Sequence, residues 1–265
     1  MKSANPYRMI LLFRGMKRSG NHALCNWLNS NNDFMFFNNI IPLAAILRGE
    51  KEVPPPAPMK RWLIHRGKWP YLNYLRSHGR NLLFGIEDHP LDLQPFSDLP
   101  ADARHVLLLR DPYNLFASRI RKSALVNNHS YAREPGPLFD RAVDLWKTYA
   151  REFVGQTTTL PESTTRVYFN RWVADLAYRQ EIAESLGLQI DSTATGKVSD
   201  HGGGSSFDSV KYDGRADRMP VFDRVEQLND NERELFRVIE NDIEISELHA
   251  AVEGAATPRS NDTSA

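Results

Sequence analysis

Short apolar runs alternate along the chain with longer stretches in which apolar residues recur every three or four positions. The runs predict strands at Met9–Phe13, Phe34–Phe37, Leu82–Ile86, His105–Leu109 and Arg166–Phe169. Three of them (9–13, 105–109 and 166–169) lead straight into a helical pattern. After the first, Ala23, Leu24, Trp27 and Leu28 share a helix face. After the last, a helix spans about Val173–Leu186, and Gly187 supplies the residue just past its end. Alternating strands and helices predict an α/β fold: three layers, a central mostly parallel sheet between helices, with a P-loop-like strand–loop–helix at its start.

The breaks in this pattern are compositional. "VPPPAP" at 53–58 reads as an exposed connection, because proline suits neither helix interior nor central strand. "SDHGGGSSFDS" at 199–209 reads as a loop. From Ala251 onward, "AVEGAATPRSNDTSA" is small and polar, so one domain over 1–250 and a disordered tail over 251–265 are expected. No internal repeat is visible.

Composition narrows the function. The chain has 265 residues, 41% of them hydrophobic, which suits one sizeable core. Lys+Arg and Asp+Glu stand at 33 each, so no global field draws the protein to nucleic acid or to a membrane surface. An anion site must therefore be built locally. Cys25 is the single cysteine, which fits a reducing, cytoplasmic setting. No apolar run approaches the length of about 18 residues that a membrane span needs. Homo-oligomerisation is left open by these numbers.

The local chemistry begins in "FRGMKRSGNHALCNWL", residues 13–28. Gly15 and Gly20 have the spacing of the G-x-x-x-x-G-K-[ST] loop, placed between a strand and a helix. There, backbone N–H groups and the positive helix end converge on an anion, and glycine allows close approach. Asn21 and His22 occupy the places of the usual Lys and Ser/Thr, and Lys17 and Arg18 bring charge from before the second glycine. Without the hydroxyl that holds magnesium, magnesium-dependent phosphoryl transfer is disfavoured.

"HVLLLRDPYNLFASRIRK", residues 105–122, repeats the design. Arg110 ends a buried strand, on the side where open α/β sheets bind ligands. Asp111 is at or next to the helix N-cap, and Pro112 falls in the first turn, where helices accept it. Ser118 follows two helical turns in, before Arg119, Arg121 and Lys122.

Together the two stretches resemble the sulfotransferases that use 3′-phosphoadenosine 5′-phosphosulfate (PAPS). Arg18-Ser19-Gly20 matches that family's [RK]-[ST]-G-[ST] loop for the 5′-phosphosulfate, with Asn21 in place of the commoner Ser or Thr. Arg110, Asp111, Pro112 and Ser118 match its R-[DN]-P-…-S element for the 3′-phosphate. "NLLFGIEDHPLDLQPF" at 81–96 resembles the segment that carries the general base: His89 aligns with the basic histidine of soluble members, and Glu87 replaces a common lysine. His89 is the expected base, because its ordinary pKa lies near neutrality; some carbohydrate-modifying members use a glutamate instead, which makes Glu87 the alternative. "RVYFNRW" resembles the strand behind the adenine, with Tyr168 or Phe169 toward the base. "HGGGSSF", 201–207, is placed like the late loop over the 3′-phosphate, with Ser205 and Ser206 as contacts, but without its basic opening. The basic, aromatic stretch 59–80 is the least family-like part, and reads either as an acceptor-site lining or as a solvated helix face.

The resemblance implies sulfonyl transfer from PAPS, leaving PAP, to a hydroxyl or less commonly an amine of a small molecule or carbohydrate, with no metal. His89 or Glu87 would take the proton, and Arg18 and Lys17 would hold the departing oxygen. Ser19, Gly20, Asn21, His22, Arg110 and Ser118 would hold the donor. The alternatives are a small-molecule kinase with a degenerate P-loop, and a non-catalytic nucleotide-binding protein. Magnesium dependence would mark the first, and PAP binding without turnover the second.

Overall fold

The computed structural model describes residues 9–32, 34–37, 81–93, 102–126, 137–191, 193–198 and 204–257. The stretches 53–58 and 59–80 lie outside the described residues.

Five strands form one sheet: β1 Ile10–Gly15, β2 Phe34–Phe37, β3 Asn81–Glu87, β4 Arg104–Leu109 and β5 Thr165–Tyr168. Their order is β2-β3-β1-β4-β5, and every pairing is parallel. The five runs expected from the sequence are these five strands. β1 is flanked by β3 and β4, so the chain reverses direction across the sheet there, at the place where α/β sheets open a crevice at the carboxyl ends. Register sets the depth of that crevice. Gly15 lies level with Glu87 on one side and Leu108 on the other, and Leu109 lies level with Tyr168.

Seven α-helices accompany the strands among the described residues: α1 Asn21–Asn29, α2 Pro112–Val126, α3 Pro137–Phe153, α4 Phe169–Ala174, α5 Leu176–Ser185, α6 Asp230–Glu240 and α7 Ile243–Ala256. Because strand side chains alternate, each strand feeds both layers. Leu11, Phe13, Val106, Leu108 and Val167 pack with Leu24, Trp27 and Leu28 of α1, Trp172 of α4 and Ile182 of α5. Leu107 and Leu109 face the other way, onto Phe116, Trp146, Tyr149, Phe236, Ile239 and Val252. Each such fully buried Leu or Phe contributes about 1.5–3 kcal/mol.

One strand residue breaks the apolar rule. Arg14 of β1 is fully buried, donating to Nδ1 of His105 (3.1 Å) and to the carbonyl of Leu93 (3.2 Å). The bond requires an unprotonated Nδ1, and burial together with the Arg14 charge lowers the His105 pKa to about 4. Tyr149 donates its hydroxyl to the carbonyl of His89 at 2.8 Å. Arg14 and Tyr149 thus pin the segment that follows β3.

Three details differ from the sequence expectation. β5 stops at Tyr168, and Phe169 opens α4. The helix expected over 173–186 is divided: Asp175 adopts extended angles, ends α4, and caps α5 by accepting from the Tyr178 N–H at 3.1 Å. Gly187, at φ +58°, does terminate α5, with Gly187 N–H to Glu184 and Leu188 N–H to Ala183 closing the last turn. Finally, the chain is not a loose tail from Ala251. Helix α7 continues to Ala256, with Ile245, Leu248, Val252 and Ala256 buried at helical spacing, and Arg171 donates to the Ala256 carbonyl at 2.7 Å. Small residues hide that stripe from composition, but their spacing suits a buried face. No helix among the described residues is long and apolar enough to cross a membrane.

Candidate active site

The loop after β1 is shaped by contacts that its sequence makes obligatory. Arg18 has φ +74° and Gly20 has φ +94°, turning the chain into α1. A Cβ on Gly20 would sit 2.1 Å from the ring of Phe169, and one on Gly15 would sit 2.3 Å from Oδ1 of Asn21. Both glycines therefore serve close approach. The Lys17 N–H donates to Asp88 Oδ1 at 2.9 Å, and the Lys17 ammonium lies 4.0 Å from the same carboxylate. Arg119 of α2 closes on Asp88 at 2.9 Å and on the Lys17 carbonyl at 3.2 Å. Asp88 thereby ties the loop to β3 and α2.

The second stretch places a cation next to that loop. Asp111 caps α2 through its Oδ1, accepting from the Asn114 N–H at 2.7 Å, so Arg110 emerges at the strand–helix junction. The Arg110 guanidinium is buried and donates to the carbonyls of Arg18 (3.0 Å) and Val221 (2.5 Å), with Phe169's ring centroid 5.1 Å away. Its nearest carboxylate contact is Asp111, at 3.8 Å. Burial lowers its pKa to about 10; Asp111 opposes the shift, and Arg224 and Arg18 add to it. Ser118 follows in α2, and Ser206 donates to its carbonyl at 2.8 Å.

These parts meet at a cavity of about 240 Å³. Arg18, Gly20, Asn21, His22, Glu87, Arg110, Ser118 and Ser205 of the expected residues line it. Lys17, Ser19, His89 and Ser206 do not. Ser19 is fully buried, with a hydroxyl that has no partner. The lining carries Arg18, Arg110, Arg179, Lys197 and Arg224 against the acids Glu87 and Asp217, a local cationic excess in a chain of zero net charge. Phe169 and Trp172 add aromatic surface, with ring centroids 5.8 Å apart. Of the two aromatics expected near a base, Phe169 lines the cavity; Tyr168 is buried, with its hydroxyl 3.2 Å from Nε2 of His249.

The end of β3 departs from a regular strand. Glu87 is its last residue, and Asp88 at φ +57° turns the chain. The period-two alternation that would align Glu87 with His89 is broken at that turn. Glu87 enters the cavity, 92% shielded from solvent, and accepts from Asn21 Nδ2 at 2.6 Å. Burial raises its pKa; the Asn21 bond opposes this, Asp88 adds to it, and Lys17 and Arg18 oppose it.

Arg179, Lys197, Arg224 and Asp217 carried no signal in the sequence, since each stands among ordinary solvated charges. Arg224 lies beside the 204–209 loop, ion-paired with Asp208 (2.6 Å) and donating to Ser205 Oγ (3.3 Å). Lys197 and Arg224 thus supply cavity cations around the loop whose own opening lacks them.

No protein-family model matches the sequence, and no curated protein matches it. Solved structures do. The sulfotransferase domain of the curacin biosynthetic pathway is similar at a TM-score of 0.59 and 12% identity, over 88% of this chain and 97% of that one. A sulfotransferase from Alicyclobacillus acidocaldarius is similar at 0.50 and 12% identity, over 93% of this chain and 95% of that one. A mouse sulfotransferase complexed with PAP aligns at 0.44 and 10% identity, over 94% and 91%. The likeness is one of fold: this chain has the architecture of sulfotransferase domains over most of its length.

Proposed function

We propose that the chain is a PAPS-dependent sulfotransferase acting on a hydroxyl, or less readily an amine, of a small molecule or glycan. The observation that carries this reading is the convergence of the Gly20 loop, the buried Arg110 guanidinium and Glu87 on one cation-rich cavity. The residues suit the donor. Arg18 and His22, with the Gly20 turn, would take the 5′-phosphosulfate, and buried Ser19 with its unpartnered hydroxyl supports that end from behind. Arg110 and Ser118, joined by Arg224 and Ser205, would take the 3′-phosphate. Phe169 and Trp172 would face the adenine.

In this reading Glu87 is the general base. It lines the cavity, and burial moves its pKa upward, toward the range in which a carboxylate accepts a proton efficiently at neutral pH. The acceptor hydroxyl gives its proton to Glu87 as its oxygen bonds to sulfur. The bond from sulfur to the 5′-phosphate oxygen breaks, and the electron pair stays with that phosphate. Arg18 meets the charge growing there, with Lys17 behind it, held near Asp88. Positioning and charge stabilisation carry most of the rate.

Calorimetric titration with PAP, with and without magnesium, tests the cofactor class without knowledge of the acceptor. PAP should bind equally well in both conditions. Binding of ATP in preference to PAP, strengthened by magnesium, would instead identify a kinase.

A further inference from the structure

Asn21 occupies the place where P-loops and sulfotransferase loops alike carry a small hydroxylated or basic residue, and its side chain is buried. Its amide nitrogen donates twice: to the carbonyl of Met16 at 3.0 Å and to Oε1 of Glu87 at 2.6 Å. Both amide hydrogens are then used, one on the loop and one on the end of β3. The alternative amide orientation would set an oxygen against two acceptors, so the assignment follows from the partners. Room for the side chain depends on Gly15, since a Cβ there would lie 2.3 Å from Asn21 Oδ1. Gly15 and Glu87 are register partners on adjacent strands, so glycine, amide and carboxylate form one packed unit.

We propose that Asn21 is a positioning residue: its amide fixes the Glu87 carboxylate at the cavity wall and couples it to the donor loop. This rests on Glu87 being the base. The coupling has a direct chemical reason. A carboxylate with free χ angles would spread over several rotamers, and Arg18 and Lys17 nearby would draw it into an ion pair that removes its basicity. A neutral amide orients the carboxylate without adding a charge. Since the same amide holds Met16, displacement of the loop moves Glu87 with it, so the base would be set when the loop is in its donor-binding shape.

The groups acting on Glu87 are Lys17 and Arg18 from the loop, Asn21 and Cys25 from α1, Asp88 from its own chain, and Tyr149 from α3. Asn21 favours the ionised carboxylate; removing it leaves burial and Asp88 to dominate.

The test is an NMR titration of the protein with isotope-labelled glutamate carboxyls, the Glu87 resonance being identified by its loss in Glu87→Gln. In Asn21→Ser the Glu87 midpoint should move to higher pH by about one unit, the loss of one hydrogen bond to a charged group partly replaced by water. An unmoved midpoint would overturn the tether, and an unmoved midpoint with a tenfold loss of PAP affinity would make Asn21 a donor-binding residue instead. Where Asn21→Ser does not fold, the unsubstituted chain decides. The Asn21 side-chain amide protons should titrate with the Glu87 midpoint and lose that response in Glu87→Gln, and amide protons that ignore Glu87 would exclude the bond. Failure of the wild-type protein to bind PAP would refute the sulfotransferase reading while leaving the tether to be judged by the same titration.

Discussion

Gly20→Ala probes whether the donor loop is held in place by close packing. Two costs follow from the geometry. The residue has φ +94°, a region where a Cβ costs roughly 1–2 kcal/mol. The new Cβ would also lie 2.1, 2.5 and 2.8 Å from three carbons of the Phe169 ring, against about 3.5 Å for a relaxed contact. The ring has little freedom to retreat, because it is buried, stacks on Trp172 at 5.8 Å and lies under the Arg110 guanidinium at 5.1 Å. Overpacking of this kind costs about 1–3 kcal/mol, so the sum is about 2–5 kcal/mol.

Two other glycines separate the contributions. Gly155 has φ +79° with no atom within 4 Å of the added Cβ, so Gly155→Ala should show the backbone cost alone, about 1–2 kcal/mol. Gly254 lies inside α7 with open space and an ordinary backbone, so Gly254→Ala should stabilise by about 0.5–1 kcal/mol. Urea unfolding of the three variants supplies the numbers, provided the m values stay equal. Gly20→Ala costing no more than Gly155→Ala would refute the packing argument. Replacing Phe169 with Ala in the Gly20→Ala background should recover part of the loss, a coupling of about 1–3 kcal/mol between touching residues.

Arg110→Ala should weaken PAP by about 1.5–3 kcal/mol while leaving an adenosine 5′-phosphate without the 3′-phosphate little changed, as read by calorimetry; equal losses would make Arg110 a structural residue. Glu87→Gln should lower turnover with radiosulfur-labelled PAPS by on the order of a hundredfold with PAP still bound, and His89→Ala should not; the reverse pattern would return the base to His89. The third prediction concerns pH. His105 titrates near 6.5 when unfolded and at about 4 when folded, so the unfolded chain takes up the proton first, and this part of the stability is complete above pH 6.5 and is lost as pH falls toward 4. His105→Gln keeps an acceptor for Arg14 but cannot titrate, so unfolding curves of the two proteins should converge across that window, and a constant difference would refute the assignment.

β1, β3 and β4 were legible because each is a largely apolar run buried on both faces, a pattern with few other uses. The caps were legible for a local reason too: Asp111-Pro112 and Gly187 act within a turn of their own position. What escaped was either a backbone state or a long-range meeting. Asp88 takes a left-handed conformation without being glycine, and nothing in "GIEDHP" announces it, yet that residue decides that Glu87 and His89 do not share a strand face. Asp175 divides a helix without proline or glycine, by bonding its own carboxylate to the next turn. Arg179, Lys197 and Arg224 reach the cavity only because the chain after β5 folds back over it. Their neighbours in sequence give no hint of that.

The partners of the cations explain how a chain of zero net charge builds an anion site. A carboxylate that holds an arginine also cancels it, whereas a carbonyl fixes its direction and leaves the charge in place. Arg119 is bonded to Asp88 and Arg121 to Glu232, and neither lines the cavity. Arg110 is held by the carbonyls of Arg18 and Val221, and Arg179 by those of Trp172 and Val173 at 2.9 and 3.1 Å, and both line it. Burial costs both arginines free energy, which shows in their lowered pKa values; Asp111, 3.8 Å from Arg110, and Asp175, acting on Arg179, offset only part of it. An anionic ligand would relieve that cost on binding. Arg224 lines the cavity yet is ion-paired with Asp208, so its charge is already partly answered. Arg110 keeps much of its field for a ligand, since its hydrogen bonds go to carbonyls and its ion pair with Asp111 is as long as 3.8 Å, which is why its substitution should discriminate between ligands that differ by one phosphate.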